Sequence, residues 1–295
     1  TMLLIRYFDP AVGAQVGLQH EGQVYNITGR YLVPDDWLRT SIGRVPEAIA
    51  DLETLLTGET FPSNLLENTP DPNVRHYLAP IHTADVWASG VTYSRSREAR
   101  QEEAIDGGDV YARVYAAQRP ELFFKARGRD VVGHLGEVGI RADASWSVPE
   151  PELAVVLNPA LEVVGFTVGN DMSSRDIEGE NPLYLPQAKV YTASCALGPG
   201  ILLTASAEIP EAMIRVEIVR AGESAFAGEV STSRLKRTLS ELVEYLGRSN
   251  TYSDGVVLLT GTGIVPPADF TLAAGDQVII SIEGIGSLSN TVKVV

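Results

Sequence analysis

Three carboxylates carry the first chemical signal in this chain. The segment Val148-Pro149-Glu150-Pro151-Glu152 opens an otherwise apolar run, Leu153-Ala154-Val155-Val156-Leu157. Proline fixes its own φ and pushes the residue before it toward extended geometry, so Val148 and Glu150 are biased to β or polyproline conformations. Residues two apart in an extended chain share a face, and Glu150 and Glu152 therefore project together. Two carboxylates so placed repel each other as solvated acids, or share a hard cation such as Mg²⁺, Ca²⁺ or Mn²⁺. A third acid, Asp171, follows the strand-like run from Leu161 to Val168 and precedes Ser173-Ser174-Arg175-Asp176-Ile177-Glu178, which reads as a capped helix start. Two neighbouring strands linked by Asn158-Pro159-Ala160 bring Asp171 to the glutamate pair. The three then offer hard oxygen ligands with positions left for water and substrate.

The chain as a whole bounds what such a site can serve. With 295 residues, 44% of them hydrophobic, it buries a sizeable core as one large domain or one domain with an appendage. A net charge of −15 argues against nucleic-acid or anionic-membrane partners, which need a basic face. No apolar run approaches the ~20 residues that span a bilayer, and the opening Thr1-Met2-Leu3-Leu4-Ile5-Arg6 lacks a charged leader, so a cytoplasmic protein is expected. Its one cysteine, Cys195, allows no intrachain disulfide, and no histidine lies near it to make it a nucleophile.

Residues 1–75 read as a small N-terminal α/β unit. It has a strand from Leu3 to Phe8, a hairpin around Glu21-Gly22 and a helix from Pro46 to Leu56, and Pro62, Pro70 and Pro72 mark a linker. Residues 76–295 form the second unit, dominated by strand-like runs: Leu122 to Phe124, Leu153 to Leu157, Val163 to Val168, Ile214 to Val219, Val256 to Thr260 and Gln277 to Glu283. A helix is expected from Ser233 to Arg248, behind a Thr232/Ser233 cap, because Leu235, Leu239, Leu242, Val243 and Leu246 recur on one face. A charged helix from Ser94 to Ile105, followed by Gly107-Gly108, is either a solvated surface helix or a lid.

Taken with Arg119-Pro120-Glu121-Leu122-Phe123-Phe124-Lys125 and Leu259-Thr260-Gly261-Thr262-Gly263, the three acids make the chain resemble the fumarylacetoacetate hydrolase superfamily from about residue 80 to 295. The resemblance implies Glu150, Glu152 and Asp171 as ligands of one divalent cation, Mg²⁺ first and Ca²⁺ or Mn²⁺ as alternatives. It implies an α+β, mostly β fold: a mixed β-roll or β-sandwich catalytic core with few helices, here with the small N-terminal α/β domain, in a homodimer or homotetramer. Three longer segments, Ala88 to Tyr93, Trp146 to Glu152 and Glu180 to Lys189, are similar to the branch that dehydrates 2-keto-3-deoxy-D-arabinonate. Hydrolases of the superfamily carry a water-activating histidine after the Gly-x-x-Tyr segment, whereas this chain has none between His82 and His134.

The expected reaction follows from these residues. A 2-keto acid chelates one cation through its carboxylate and keto oxygens, which acidifies C3–H. Lys189 is the expected cation for the substrate carboxylate or the enolate, and Glu121 the expected acid/base. Ser89, Gly90, Lys125 and Thr262 are expected against the small 2-keto-3-deoxy sugar acid. The Thr260 to Gly263 segment lacks the Lys-Ser/Thr of a phosphate loop. Arg175 is read as a partner of Asp171 or Asp176, or as an exposed helix residue, and His134 as a loop histidine with local hydrogen bonds. Competing with the dehydratase are an acylpyruvate or fumarylpyruvate C–C bond hydrolase and a non-catalytic sugar-acid-binding module.

Overall fold

The computed structural model describes residues 2–95, 98 and 109–295. Short runs of alternating or continuous apolar residues, cut by Gly and Pro, fold into eighteen strands among these residues. In chain order the N-terminal strands are β1 (Met2–Asp9), β2 (Gly13–His20), β3 (Gln23–Asn26), β4 (Thr60–Pro62) and β5 (His76–Leu78). Then follow β6 (Asp85–Gly90), β7 (Glu121–Ala126), β8 (Glu137–Ile140), β9 (Ser147–Val148), β10 (Pro151–Leu157), β11 (Val163–Asp171) and β12 (Ser173–Ser174). The remainder are β13 (Cys195–Leu203), β14 (Met213–Arg220), β15 (Glu223–Ser231), β16 (Val256–Leu259), β17 (Gln277–Ile282) and β18 (Gly286–Val294). Helices among the described residues are few and short: α1 (Pro34–Thr40), α2 (Val45–Glu53), α3 (Asp109–Ala116), α4 (Arg175–Glu180), α5 (Leu185–Lys189) and α6 (Leu239–Gly247).

The fold is α+β and mostly β. One eleven-stranded sheet runs in the order β4-β3-β2-β1-β13-β11-β10-β16-β6-β7, with β5 also paired to β1, and a second sheet runs β15-β14-β17-β18-β8. Strand β10 is buried along its whole length. Leu153, Val155 and Leu157 belong to the core shared with β14, β17, β18 and α6, while Ala154 and Val156 face the core shared with β1, α1 and α2. Both faces of a strand with apolar neighbours on each side can be apolar, and that is why its sequence is a continuous run.

The N-terminal segment expected as a separate small unit adds its strands to this same sheet, through the antiparallel pairing of Leu3, Leu4 and Ile5 with Leu202, Ile201 and Gly200. The expected helix from Ser233 to Arg248 is shorter. Thr232–Arg234 is a 3-10 turn and α6 starts after Thr238, whose hydroxyl accepts from Glu241 N–H. The intervening residues are committed elsewhere: Lys236 N–H donates to Thr92 O at 3.0 Å, and the Arg237 guanidinium donates to the carbonyls of Val114, Ala117 and Gln118. The helix expected from Ser94 to Ile105 lies largely outside the described residues. Among the described residues no helix is long and apolar enough to cross a membrane.

Leu258 sits on β16, fully buried in the larger core. Leu258→Ala should lower unfolding free energy by about 2–5 kcal/mol in urea denaturation, and a loss below about 1 kcal/mol would mean that the two faces of the sheet are not packed as described.

Candidate active site

Five strand ends converge at one edge of the large sheet. Strand β10 runs antiparallel to β11 and β16, β16 runs parallel to β6, and β6 runs antiparallel to β7. The starts of β10 and β7 therefore lie with the ends of β11, β16 and β6. This edge presents Glu150 and Glu152, Asp171, the Thr260-Gly261-Thr262 turn, Ser89-Gly90 and Glu121.

Register brings the acids together. Glu152 pairs with Gly169, and Asp171 N–H donates to Glu150 O at 3.0 Å, so Glu150 and Asp171 oppose each other one step along on the same face. Carboxylate oxygens of Glu150, Glu152 and Asp171 lie within 4.8 Å of one another, and all three residues are buried. Like charges directly opposite in an antiparallel pair repel, and burial raises the cost. The Glu152 carboxyl registers this most clearly. Burial first, then Asp171 and Glu150, push it well above the ordinary carboxylate range, against the lowering effects of Lys189 and a 2.6 Å hydrogen bond from Gly261 N–H.

Two lysines offset the cluster. The Lys189 ammonium, from the end of α5, donates to Glu150 Oε2 at 2.9 Å, Asp171 Oδ2 at 3.0 Å and Ser173 Oγ at 2.5 Å. Lys125 Nζ lies 2.5 Å from Asp171 Oδ1 and donates to the carbonyls of Met172 and Lys189. Lys125 is fully buried beneath the cluster. Expected against the substrate, it instead holds Asp171 and the end of α5, because all its donors are engaged behind the carboxylates.

Above the cluster a narrow cleft is lined by Ser89, Gly90, Glu121, Phe123, Glu150, Asp171, Glu178, Lys189, Gly261 and Thr262, among others. Gly90 has no side chain for a steric reason: a Cβ there would fall 2.1 Å from Glu121 Oε2, so the glycine makes the room in which the Glu121 carboxylate sits. Gly261 has φ +96°, and a Cβ on it would fall 1.9 Å from Thr92 Oγ1. Ser89 Oγ donates to Glu121 O at 3.1 Å, and Thr262 Oγ1 accepts from Ile264 N–H at 3.2 Å.

Arg175 is neither exposed nor paired with Asp171 or Asp176. It is buried, donates from Nη1 to Glu178 Oε2, and the same nitrogen lies 3.9 Å from Glu150 Oε1. Glu178 is a cleft residue that the sequence reading passed over; its i,i+3 spacing from Arg175 was the available signal. His134 lies away from the cleft, with Nε2 3.0 Å from Glu67 Oε2 and Nδ1 accepting from Ser289 N–H. Burial pushes the Cys195 thiol up to about 12, which removes it as a nucleophile.

Three buried carboxylates with all-oxygen donors, converging within one ion's reach and only partly offset by lysine, fit a hard divalent cation. A mostly β fold with this cluster at a sheet edge defines the class, and the chain belongs to the fumarylacetoacetate (FAA) hydrolase family, whose C-terminal model matches residues 85–293. Within it the chain is 49% identical over 222 residues to a probable 2-keto-3-deoxyxylonate dehydratase of Haloferax volcanii, covering 75% of this chain and 76% of the relative. It is 44% identical over 218 residues to the 2-dehydro-3-deoxy-D-arabinonate dehydratase of Saccharolobus solfataricus, covering 72% and 73%. The solved structure of a 2-keto-3-deoxy-D-arabinonate dehydratase complexed with magnesium and 2,5-dioxopentanoate matches with a TM-score of 0.83 at 34% identity, covering 100% of this chain and 99% of that one.

Mg²⁺ should therefore raise the thermal midpoint of the protein in a concentration-dependent way, EDTA should reverse the shift, and Asp171→Asn should abolish it. Gly90→Ala, which moves Glu121 alone, should keep the shift. An equal Mg²⁺ response in Asp171→Asn would place the cation elsewhere.

Proposed function

We propose that this protein is a hydro-lyase that converts 2-keto-3-deoxy-D-arabinonate into 2,5-dioxopentanoate (2-oxoglutarate semialdehyde) and water. The observation that carries the reading is the cleft floor, where the Lys189 ammonium meets Glu150 and Asp171 while a separate carboxylate, Glu121, stands over Gly90 on the wall. The floor suits a 2-keto acid and the negative charge that grows on it. The wall carboxylate suits proton transfer. The similarity to dehydratases at 49% and 44% identity supports this choice within the family.

Glu150, Glu152 and Asp171 would hold one divalent cation, Mg²⁺ first, which would supply Lewis acidity toward the 2-keto acid. Lys189 complements the charge of the substrate carboxylate and of the developing enolate from a position fixed by three hydrogen bonds. Glu121 takes the C3 proton and returns it to the C4 hydroxyl, which departs as water and leaves a C3=C4 double bond conjugated with the C2 keto group. A proton then leaves C5 and one is added at C3, giving the C4=C5 enol of the product aldehyde. Ser89, Gly90 and Thr262 bind and orient the substrate, and Phe123 gives the wall an apolar patch that excludes water. The protein works in the cytoplasm as a homodimer or homotetramer, a state that sedimentation equilibrium measures directly.

The test is a ¹H NMR time course with 2-keto-3-deoxy-D-arabinonate, in Mg²⁺ and in EDTA. An aldehyde signal should grow only with Mg²⁺, and Glu121→Gln should slow it by roughly 10²–10⁴-fold. An untouched sugar acid together with cleavage of an acylpyruvate to pyruvate would make the protein a C–C bond hydrolase instead; metal-dependent binding without turnover would make it a binding module.

A further inference from the structure

The proposed reaction moves protons at two separate carbons, C3 and C5. Among the described residues lining the cleft, two acids stand outside the cation cluster: Glu121, at the start of β7, and Glu178, on α4. Glu178 is only 5% exposed. Taking a carboxylate out of water costs several kcal/mol, and here the buried guanidinium of Arg175 offsets that cost. The same Nη1 lies 3.9 Å from Glu150 Oε1, so Arg175 fixes Glu178 in register with the cation cluster. The arrangement presents a second fixed carboxylate to the cleft, from a different element than the one that carries Glu121. A desolvated, charge-paired carboxylate on a cleft wall is a candidate functional position.

We infer that Glu178 is a second proton-transfer residue, which removes the C5 proton in the isomerisation that follows loss of water, and that Arg175 positions it. This rests on the dehydratase reading above. After dehydration the substrate is 5-hydroxy-2-oxopent-3-enoate. Glu178 accepts the proton from C5; the C5–H electron pair becomes the C4=C5 π bond, the C3=C4 pair shifts to C2=C3, and the keto oxygen takes the negative charge. Protonation at C3 restores the keto group and leaves the C4=C5 enol, which tautomerises to the C5 aldehyde. Atoms balance across this stage, and it needs no oxidant or reductant.

The experiment follows the substrate by ¹H NMR with wild-type protein, Glu178→Gln and Glu178→Asp, all with Mg²⁺, and measures the Mg²⁺ thermal shift of each. Wild-type protein that forms aldehyde upholds the dehydratase reading on its own. In Glu178→Gln the substrate should still lose water, within about 10-fold of the wild-type rate, while aldehyde forms at least 10²-fold more slowly and vinyl proton signals of the enone accumulate. Glu178→Asp, which keeps the charge for Arg175 and shortens the reach, should show a smaller accumulation of the same enone. Aldehyde formation at the wild-type rate in Glu178→Gln would overturn the inference. So would substrate left intact by a variant that keeps its Mg²⁺ shift, because the residue would then act before or during loss of water. If Glu178→Gln fails to fold, Glu178→Asp decides: a folded variant with no enone overturns it.

Discussion

The structure is organised around a repulsion. Strands β10 and β11 are paired in a register that sets Glu150 against Asp171 on one face, with Glu152 one step away. No pairing energy in the sheet favours three buried carboxylates at one edge. Their cost is offset by cations brought from two other elements: Lys189, which spans Glu150 and Asp171, and Lys125, beneath Asp171. The Arg175 and Glu178 pair lies beside them, with Arg175 Nη1 3.9 Å from Glu150 Oε1. The Glu152 carboxyl is pushed up by burial first and by Asp171 and Glu150 after it.

Everything else about the cleft follows from which strand ends share its edge. The parallel pairing of β16 with β6 is what sets the Gly261 turn beside Ser89 and Gly90, and the antiparallel pairing of β6 with β7 is what sets Glu121 over Gly90. Space is as constrained as charge. Gly169, paired with Glu152, lies where a Cβ would fall 2.3 Å from Leu259 Cδ2, so the bare position leaves room for the Leu259 side chain behind the cluster. Gly90 and Gly261 do the same for the Glu121 carboxylate and the Thr92 hydroxyl. The acids are thus fixed by packed backbone rather than by loops, a condition for holding functional groups within a fraction of an ångström.

The cluster was legible from sequence because its signals are local. A period of two aligns Glu150 with Glu152, and a short Asn158-Pro159-Ala160 connection makes the next strand an antiparallel neighbour that returns Asp171 to the same end. Depth was not legible. The alternation Glu121, Phe123, Lys125 puts Lys125 on the same strand face as Glu121, but only the covering layer of Met172, Lys189 and Cys195 decides that it is buried under the cluster. Arg175 and Glu178 were hidden for a similar reason: a six-residue helix shows no amphipathic pattern from which to read that its charged side is the buried one. The joining of β1 to β13, strands far apart in the chain, leaves no local pattern, and β13 itself contains Gly198, Pro199 and Gly200, which read as a break. The over-long reading of α6 shows the converse, since the apolar period continues back to Leu235 while tertiary hydrogen bonds hold Lys236 and Arg237 outside the helix.

The site divides its labour between two kinds of group. In the proposed reaction, charge on oxygen is handled at the floor, by the three-carboxylate cluster and Lys189, and protons on carbon at the wall, by Glu121 and, in the inference above, by Glu178. Histidine has no place in either set, since His134 is tied to Glu67 and Ser289 outside the cleft. In the proposed reaction the wall carboxylates move protons within one substrate. A floor that stabilises enolates serves several reactions of 2-keto acids equally well, so the identity of the reaction is set by the wall. On this argument the determinants that separate a dehydratase from a hydrolase in this family lie at the start of β7 and on α4, on the wall rather than among the three carboxylates of the floor.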